Sequence, residues 1–209
     1  MSFGLASGVY RGMILEQRFT LMSAHDTALL VIDVQQSFLH RPYFDAADVP
    51  DFMAAVQALV DGAVRQSIPV LQVFHVEKEG VFSLASGHVQ TLSPLAIEPT
   101  AIFHKQRHSA LVGSGLGVWL VEHGIRRVIV AGIRTEQCCE TTTRQLSDFG
   151  YQVDFVSDAT LTFPMTDAAG KVWTAADIKA RTELVLADRF ARIATVDQAL
   201  AGAGMTIAA

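Results

Sequence analysis

Six short apolar runs, separated by stretches of helical or irregular character, constrain this chain more than any other feature. Ala28-Leu29-Leu30-Val31-Ile32-Asp33-Val34 is almost continuously apolar and is interrupted only by one charge near its end. Such a run reads as a strand buried on both faces, because a half-exposed strand alternates apolar with polar residues. Comparable runs occupy 68–75, 100–105, 127–132, 151–156 and 191–196. Between them apolar residues recur at helical spacing: Phe52, Val56, Leu59, Val60 and Ala63 on one face of 51–65, then Leu116, Trp119 and Leu120 ahead of Gly124. A helix is expected over about 138–149, ending at Gly150, and Thr174 with Asp177 predicts a capping box opening a helix to about 188. Residues 77–99, with Gly80, Gly87, Pro94 and Pro99, predict an irregular surface excursion, and 161–173 a loop. Strands alternating with helices imply right-handed crossovers and a parallel sheet covered on both faces, an α/β fold.

The chain of 209 residues predicts one domain over 27–209, preceded by an N-terminal extension, 1–26, that has little periodicity. Half the residues are apolar and the net charge is −5, with no cluster of Lys and Arg, which argues against a nucleic-acid partner. No run approaches the roughly 18 apolar residues of a membrane span. Glu16, Gln17 and Arg18 interrupt the stretch where the apolar part of a signal peptide would lie, so a cytoplasmic location is expected. The two cysteines, Cys138 and Cys139, are neighbours, a poor geometry for a mutual disulfide, and are expected as reduced thiols.

In parallel α/β sheets, chemistry gathers where strands end at their carboxyl side. Asp33 ends the first run, Lys105 ends the third, and Cys138 lies just after the fourth, where a helix begins. An acid, a base and a thiol on one edge make a candidate nucleophilic site. A helix start and a nearby lysine favour the thiolate, so the Cys138 pKa is expected to be lowered. Each residue also has a plain structural role: a loop-capping Asp, a solvated Lys, a small buried Cys. Gly113-Ser114-Gly115-Leu116-Gly117 lacks the spacing of a phosphate loop and reads as a helix start.

Here the residues resemble a family. Asp33-Val34-Gln35-Gln36-Ser37-Phe38 is similar to the D-x-Q-x-x-F opening of the isochorismatase-like cysteine hydrolases. Lys105-Gln106-Arg107-His108-Ser109-Ala110-Leu111 resembles their K-x-x-x-S-A-F, with Leu111 for the aromatic, and Gly132-Ile133-Arg134-Thr135-Glu136-Gln137-Cys138-Cys139 resembles G-I-x-T-x-x-C-V. Gly150-Tyr151-Gln152-Val153 and Asp158-Ala159 follow in order, so the likeness runs over about 27–160. The resemblance implies a three-layer α/β/α sandwich with a six-stranded parallel sheet ordered 3-2-1-4-5-6. It also implies a catalytic triad of Asp33, Lys105 and Cys138, a cis peptide before Arg134, and an oxyanion hole from the Arg134 and Cys138 N–H groups. Phe38, on the loop after Asp33, is expected as a wall of the substrate pocket. The Arg134 side chain is expected to reach an anionic substrate group or, more plainly, to point to solvent. Nicotinamidase relatives carry a metal-binding D-x-H near the end of the second strand. Here that triplet is Val73-Phe74-His75, without the carboxylate, so His75, His88, His104 and His108 are expected to be structural, with no metal and no cofactor.

Two thiols compete for the nucleophile's role. Cys139, Leu146 and Phe149 fall on one helical stripe, which places Cys139 in the core, and Cys138 lies about 100° away. The expected function is therefore hydrolysis of a small amide or related C–N bond through a thioester on Cys138. The alternatives are an ether hydrolase of the isochorismatase type, whose members often lack the cysteine, and a non-catalytic thiol-bearing assembly or redox protein. The expected partners are a small-molecule substrate and further copies of the chain in a homo-oligomer, to which 1–26 can contribute.

Overall fold

The computed structural model describes residues 26–202, so the expectation for the N-terminal extension lies outside the described residues. In chain order the elements are β1 (Thr27–Ile32), α1 (Val49–Arg65), β2 (Val70–His75), β3 (Ala101–Lys105), α2 (Leu116–Glu122) and β4 (Arg127–Ile133). There follow α3 (Glu140–Asp148), β5 (Gln152–Leu161), β6 (Met165–Thr166), β7 (Val172–Trp173), α4 (Ala175–Leu186), β8 (Arg192–Ile193) and α5 (Val196–Gly202). Six strands form one parallel sheet in the order β3-β2-β1-β4-β5-β8. This is the expected fold. The last strand of the sheet is eighth in the chain because an antiparallel hairpin, β6–β7, stands within the predicted loop at 161–173.

Burial on β1 alternates between two cores, as a pleated strand requires. Leu29 and Val31 pack with Phe52, Val56 and Leu59 of α1, while Ala28, Leu30 and Ile32 pack with Leu116 and Leu120 of α2 and Leu146 of α3. The capping box is present: the Thr174 hydroxyl accepts from the Asp177 N–H at 3.1 Å, and the Asp177 carboxylate accepts from the Thr174 N–H at 3.0 Å. At the end of α2, Gly124 has φ +65°, and the Ile125 N–H donates to the Leu120 carbonyl at 2.9 Å. A glycine takes this left-handed position without a Cβ penalty.

Three expectations need correction. The sixth strand pairs over Arg192 and Ile193 only, because α5 takes the chain from Val196 onward. β5 is longer than predicted, running to Leu161, with an irregular register where Val130 pairs Phe155 but Gly132 pairs Thr160. The stripe through Cys139 and Leu146 is buried, but Phe149 is 63% exposed, because it caps α3 and has left the helical phase.

β1 lies between β2 and β4, where the strand order reverses, the switch point at which parallel α/β sheets gather their chemistry. Ile32 lies opposite Gly132, so the residues that follow these two strands emerge side by side. Gly132 makes this approach possible. Its φ is +136°, and a Cβ there would stand 2.0 Å from the Ile32 carbonyl oxygen.

Candidate active site

Asp33 follows β1 with φ +53°, a left-handed conformation that aspartate tolerates better than most residues and that often marks functional positions. Its N–H donates to the Val73 carbonyl at 2.8 Å, which ties the turn to β2. Lys105 is the last residue of β3 and lies opposite His75, the last residue of β2. After β4, the Ile133–Arg134 peptide is cis, and one wide helical turn, Thr135–Cys139, leads into α3. In that turn the Cys139 N–H donates to the Arg134 carbonyl at 3.2 Å, a five-residue reach of the π type that recurs at functional sites.

These three chain ends bring Asp33, Lys105 and Cys138 together. The Lys105 Nζ is 2.7 Å from Asp33 Oδ2 and 3.3 Å from the Cys138 Sγ, and both side chains of the ion pair are fully buried. Neither Asp33 carboxylate oxygen forms a hydrogen bond among the described residues; Oδ2 is held by the ion pair. An ion pair taken wholly out of water gains little stability, so its place beside a thiol at the carboxyl ends of the strands points to chemistry.

The electrostatics differ from expectation at the thiol. Burial, and then the Asp33 carboxylate, push the Cys138 thiol up to about 12, against the opposing pull of Lys105. Burial also raises Asp33 despite Lys105, while Lys105, though burial works against its charge, is held above its ordinary value by Asp33 and Cys138. These shifts favour a neutral Cys138 thiol beside a lysine ammonium, against the lowered pKa expected from the helix start and the nearby lysine. Cys139 is fully buried, and burial lifts its pKa well above the ordinary thiol value. Alkylation of Cys138 is thus expected to accelerate about tenfold per pH unit from about pH 7 to 10, because the thiolate fraction rises at that rate below the pKa. Cys139 should stay unlabelled in the folded protein. Peptide mapping over a pH series checks this, and a plateau near neutral pH would show a preformed thiolate.

Arg134 does not point to solvent. It is 7% exposed, with its guanidinium 3.0 Å from Glu136 and stacked 5.0 Å from the Tyr43 ring and 5.7 Å from that of Phe163. Glu136 in turn accepts from the Thr162 hydroxyl at 2.6 Å, so the turn that carries Cys138 is pinned to the end of β5. Phe38 is buried on the α1 side of the sheet, edge-on to Phe82 at 5.1 Å, whereas Cys138 belongs to the core cluster on the opposite face. The histidines have separate partners, although His108 is near enough to His75 to act on its charge. His75 meets Lys105 at 3.2 Å, His88 stacks on His40, His104 lies over Phe74, and no group of three or more ligand-type side chains gathers for a metal among the described residues. The Lys105–His75 contact and the Arg134–Glu136 pair were missed from the sequence. The parallel register that sets His75 opposite Lys105, and the Arg-x-Glu spacing at the turn, were the available signals.

A family model for the isochorismatase domain matches residues 27–197. The chain is 32% identical over 180 residues to the uncharacterized isochorismatase family protein YrdC of Bacillus subtilis, covering 82% of this chain and 92% of that one. It is 29% identical over 152 residues to Nicotinamidase 3 of Arabidopsis thaliana, covering 65% and 73%. Among solved structures, a candidate isochorismatase from Burkholderia xenovorans LB400 superposes with a TM-score of 0.79 at 28% identity, over 88% of this chain and 91% of that one. The chain belongs to the isochorismatase family of hydrolases.

Proposed function

We propose that the protein is a cysteine hydrolase that cleaves a small amide or related C–N bond through a thioester on Cys138. The observation that carries this reading is the buried contact of Lys105 with both Asp33, at 2.7 Å, and Cys138, at 3.3 Å. As the substrate carbonyl approaches, the thiol proton passes to Asp33 and the Sγ–C bond forms. Lys105 holds the developing thiolate charge, and the Arg134 and Cys138 N–H groups receive the oxyanion. Asp33 then returns the proton to the nitrogen as the C–N bond breaks, and ammonia or an amine leaves. Water attacks the thioester, giving its proton to Asp33. The acid product departs, and the proton returns to Cys138 as the thiol. A thiol resting near 12 suits this sequence, because charge separation waits for the substrate.

The likeness to Nicotinamidase 3 supports a primary amide as the substrate class. Ammonia release from a panel of small primary amides tests the proposal, with iodoacetamide added in parallel. Release should fall in step with the capping of Cys138, and release that persists with Cys138 fully capped overturns the reading. Since Val73 stands where the metal-binding relatives have a carboxylate, turnover is expected to survive exhaustive chelation. Stoichiometric zinc or iron, lost together with activity, would contradict that.

A further inference from the structure

A lysine ammonium carries three N–H bonds and can only donate. In this site the ammonium forms hydrogen bonds to Cys138 Sγ at 3.3 Å and His75 Nδ1 at 3.2 Å, and its third direction is taken by the ion pair with Asp33 Oδ2 at 2.7 Å. The His75 Nδ1 must then be the accepting nitrogen, and the imidazole proton sits on Nε2, on the side of Glu77, whose Oε1 is 3.7 Å away. The His75 backbone is itself held. Gln35 Oε1 accepts from the His75 N–H at 2.8 Å, and Gln35 Nε2 donates to the His75 carbonyl at 3.1 Å and to the Ser37 hydroxyl at 2.9 Å. The His75 ring stands edge-on to Phe82, with centroids 5.8 Å apart.

We propose that His75 is a positioning residue of the catalytic centre, its neutral imidazole accepting the third N–H of Lys105 and so aiming the other two at Asp33 and Cys138. The inference deepens the hydrolase reading and rests on it for any effect on turnover. With only two acceptors the ammonium is free to turn about its Cε–Nζ bond, and one buried N–H is left unpaired. The charged and titratable groups facing His75 are Lys105 from β3, His108 from the loop beyond it and Glu77 on its own loop, with Asp33 and Cys138 behind Lys105. Burial, Lys105 and His108 lower the His75 pKa to about 4, so the ring remains an acceptor across the neutral range.

The test compares His75→Asn, whose side-chain oxygen can stand near the Nδ1 position, with His75→Leu, which has similar bulk and no acceptor. The first readout is the rate of Cys138 alkylation by iodoacetamide at fixed pH, with folding checked by circular dichroism. This needs no substrate, so it stands even if no amide is turned over. His75→Leu should react about tenfold more slowly, as a thiolate that loses its aligned cation rises in pKa by about one unit, and His75→Asn should remain within about threefold of wild type. Equal rates in wild type and His75→Leu, or equal losses in both variants, overturn the proposal. If His75→Leu does not fold, nitrogen NMR of wild-type His75 decides: an Nε2–H tautomer at neutral pH supports the role, and an Nδ1–H tautomer refutes it. On an amide that is hydrolysed, His75→Leu should lower kcat with KM little changed.

Discussion

Asp33→Asn is expected to slow thioester formation by about 10²–10⁴, the range lost when a general base is removed. The amide keeps the shape of the carboxylate and still offers Lys105 an oxygen, but it cannot take the Cys138 proton. The substitution takes away the carboxylate's upward push on the Cys138 thiol, but burial, the larger cause, still disfavours the thiolate, so the missing proton acceptor is not made good. The substitution also removes the charge partner of a buried ammonium, a change that costs about 3–5 kcal/mol in such pairs. Rates should therefore be measured well below the unfolding temperature of the variant. Single-turnover kinetics on an amide substrate check the result, and a variant within tenfold of wild type would remove Asp33 from the proton path.

Gly132→Ala should act on the fold rather than on the chemistry. The new methyl would stand 2.0 Å from the Ile32 carbonyl oxygen, at φ +136°, in the centre of the sheet. Backbone on both sides has to move, and β1 and β4 carry the segments that bear Asp33 and Cys138. A loss above about 4 kcal/mol is expected, a large share of ordinary domain stability. At roughly 2–4 °C per kcal/mol for a chain of this size, the melting temperature should drop by about 10 °C or more. Thermal unfolding followed by circular dichroism checks this, and a melting temperature within about 3 °C of wild type would contradict the close approach.

What the sequence made legible is what depends on local pattern. Short, mostly apolar runs placed β1, β2, β3 and β4, whose ends carry Asp33, His75, Lys105 and the turn before Cys138. The family-like motifs ordered the sheet. What stayed hidden depends on residues far apart in the chain. Arg134 is enclosed by Tyr43 and Phe163, which no spacing rule joins to it. The sign of the Cys138 shift is set first by burial of the thiol itself and then by the Asp33 carboxylate, neither of which the argument from the helix start and the nearby lysine weighed. Phe149 was misplaced because the helical phase was extended through a C-terminal cap. His75 was set aside as structural because its triplet, Val73-Phe74-His75, lacks the carboxylate of a metal-binding D-x-H. Its meaning comes from the β2–β3 register that places it on Lys105.

The central claim is that the acyl group is carried by Cys138. Mixing enzyme with a hydrolysed amide, quenching in acid and mapping peptides by mass spectrometry tests it directly. The account predicts an acyl increment on the peptide containing Cys138, located to that residue by fragmentation. The increment and ammonia release should both vanish in Cys138→Ala and persist in Cys139→Val, which roughly conserves core volume. An increment on Cys139, or undiminished ammonia release from folded Cys138→Ala, would contradict the account.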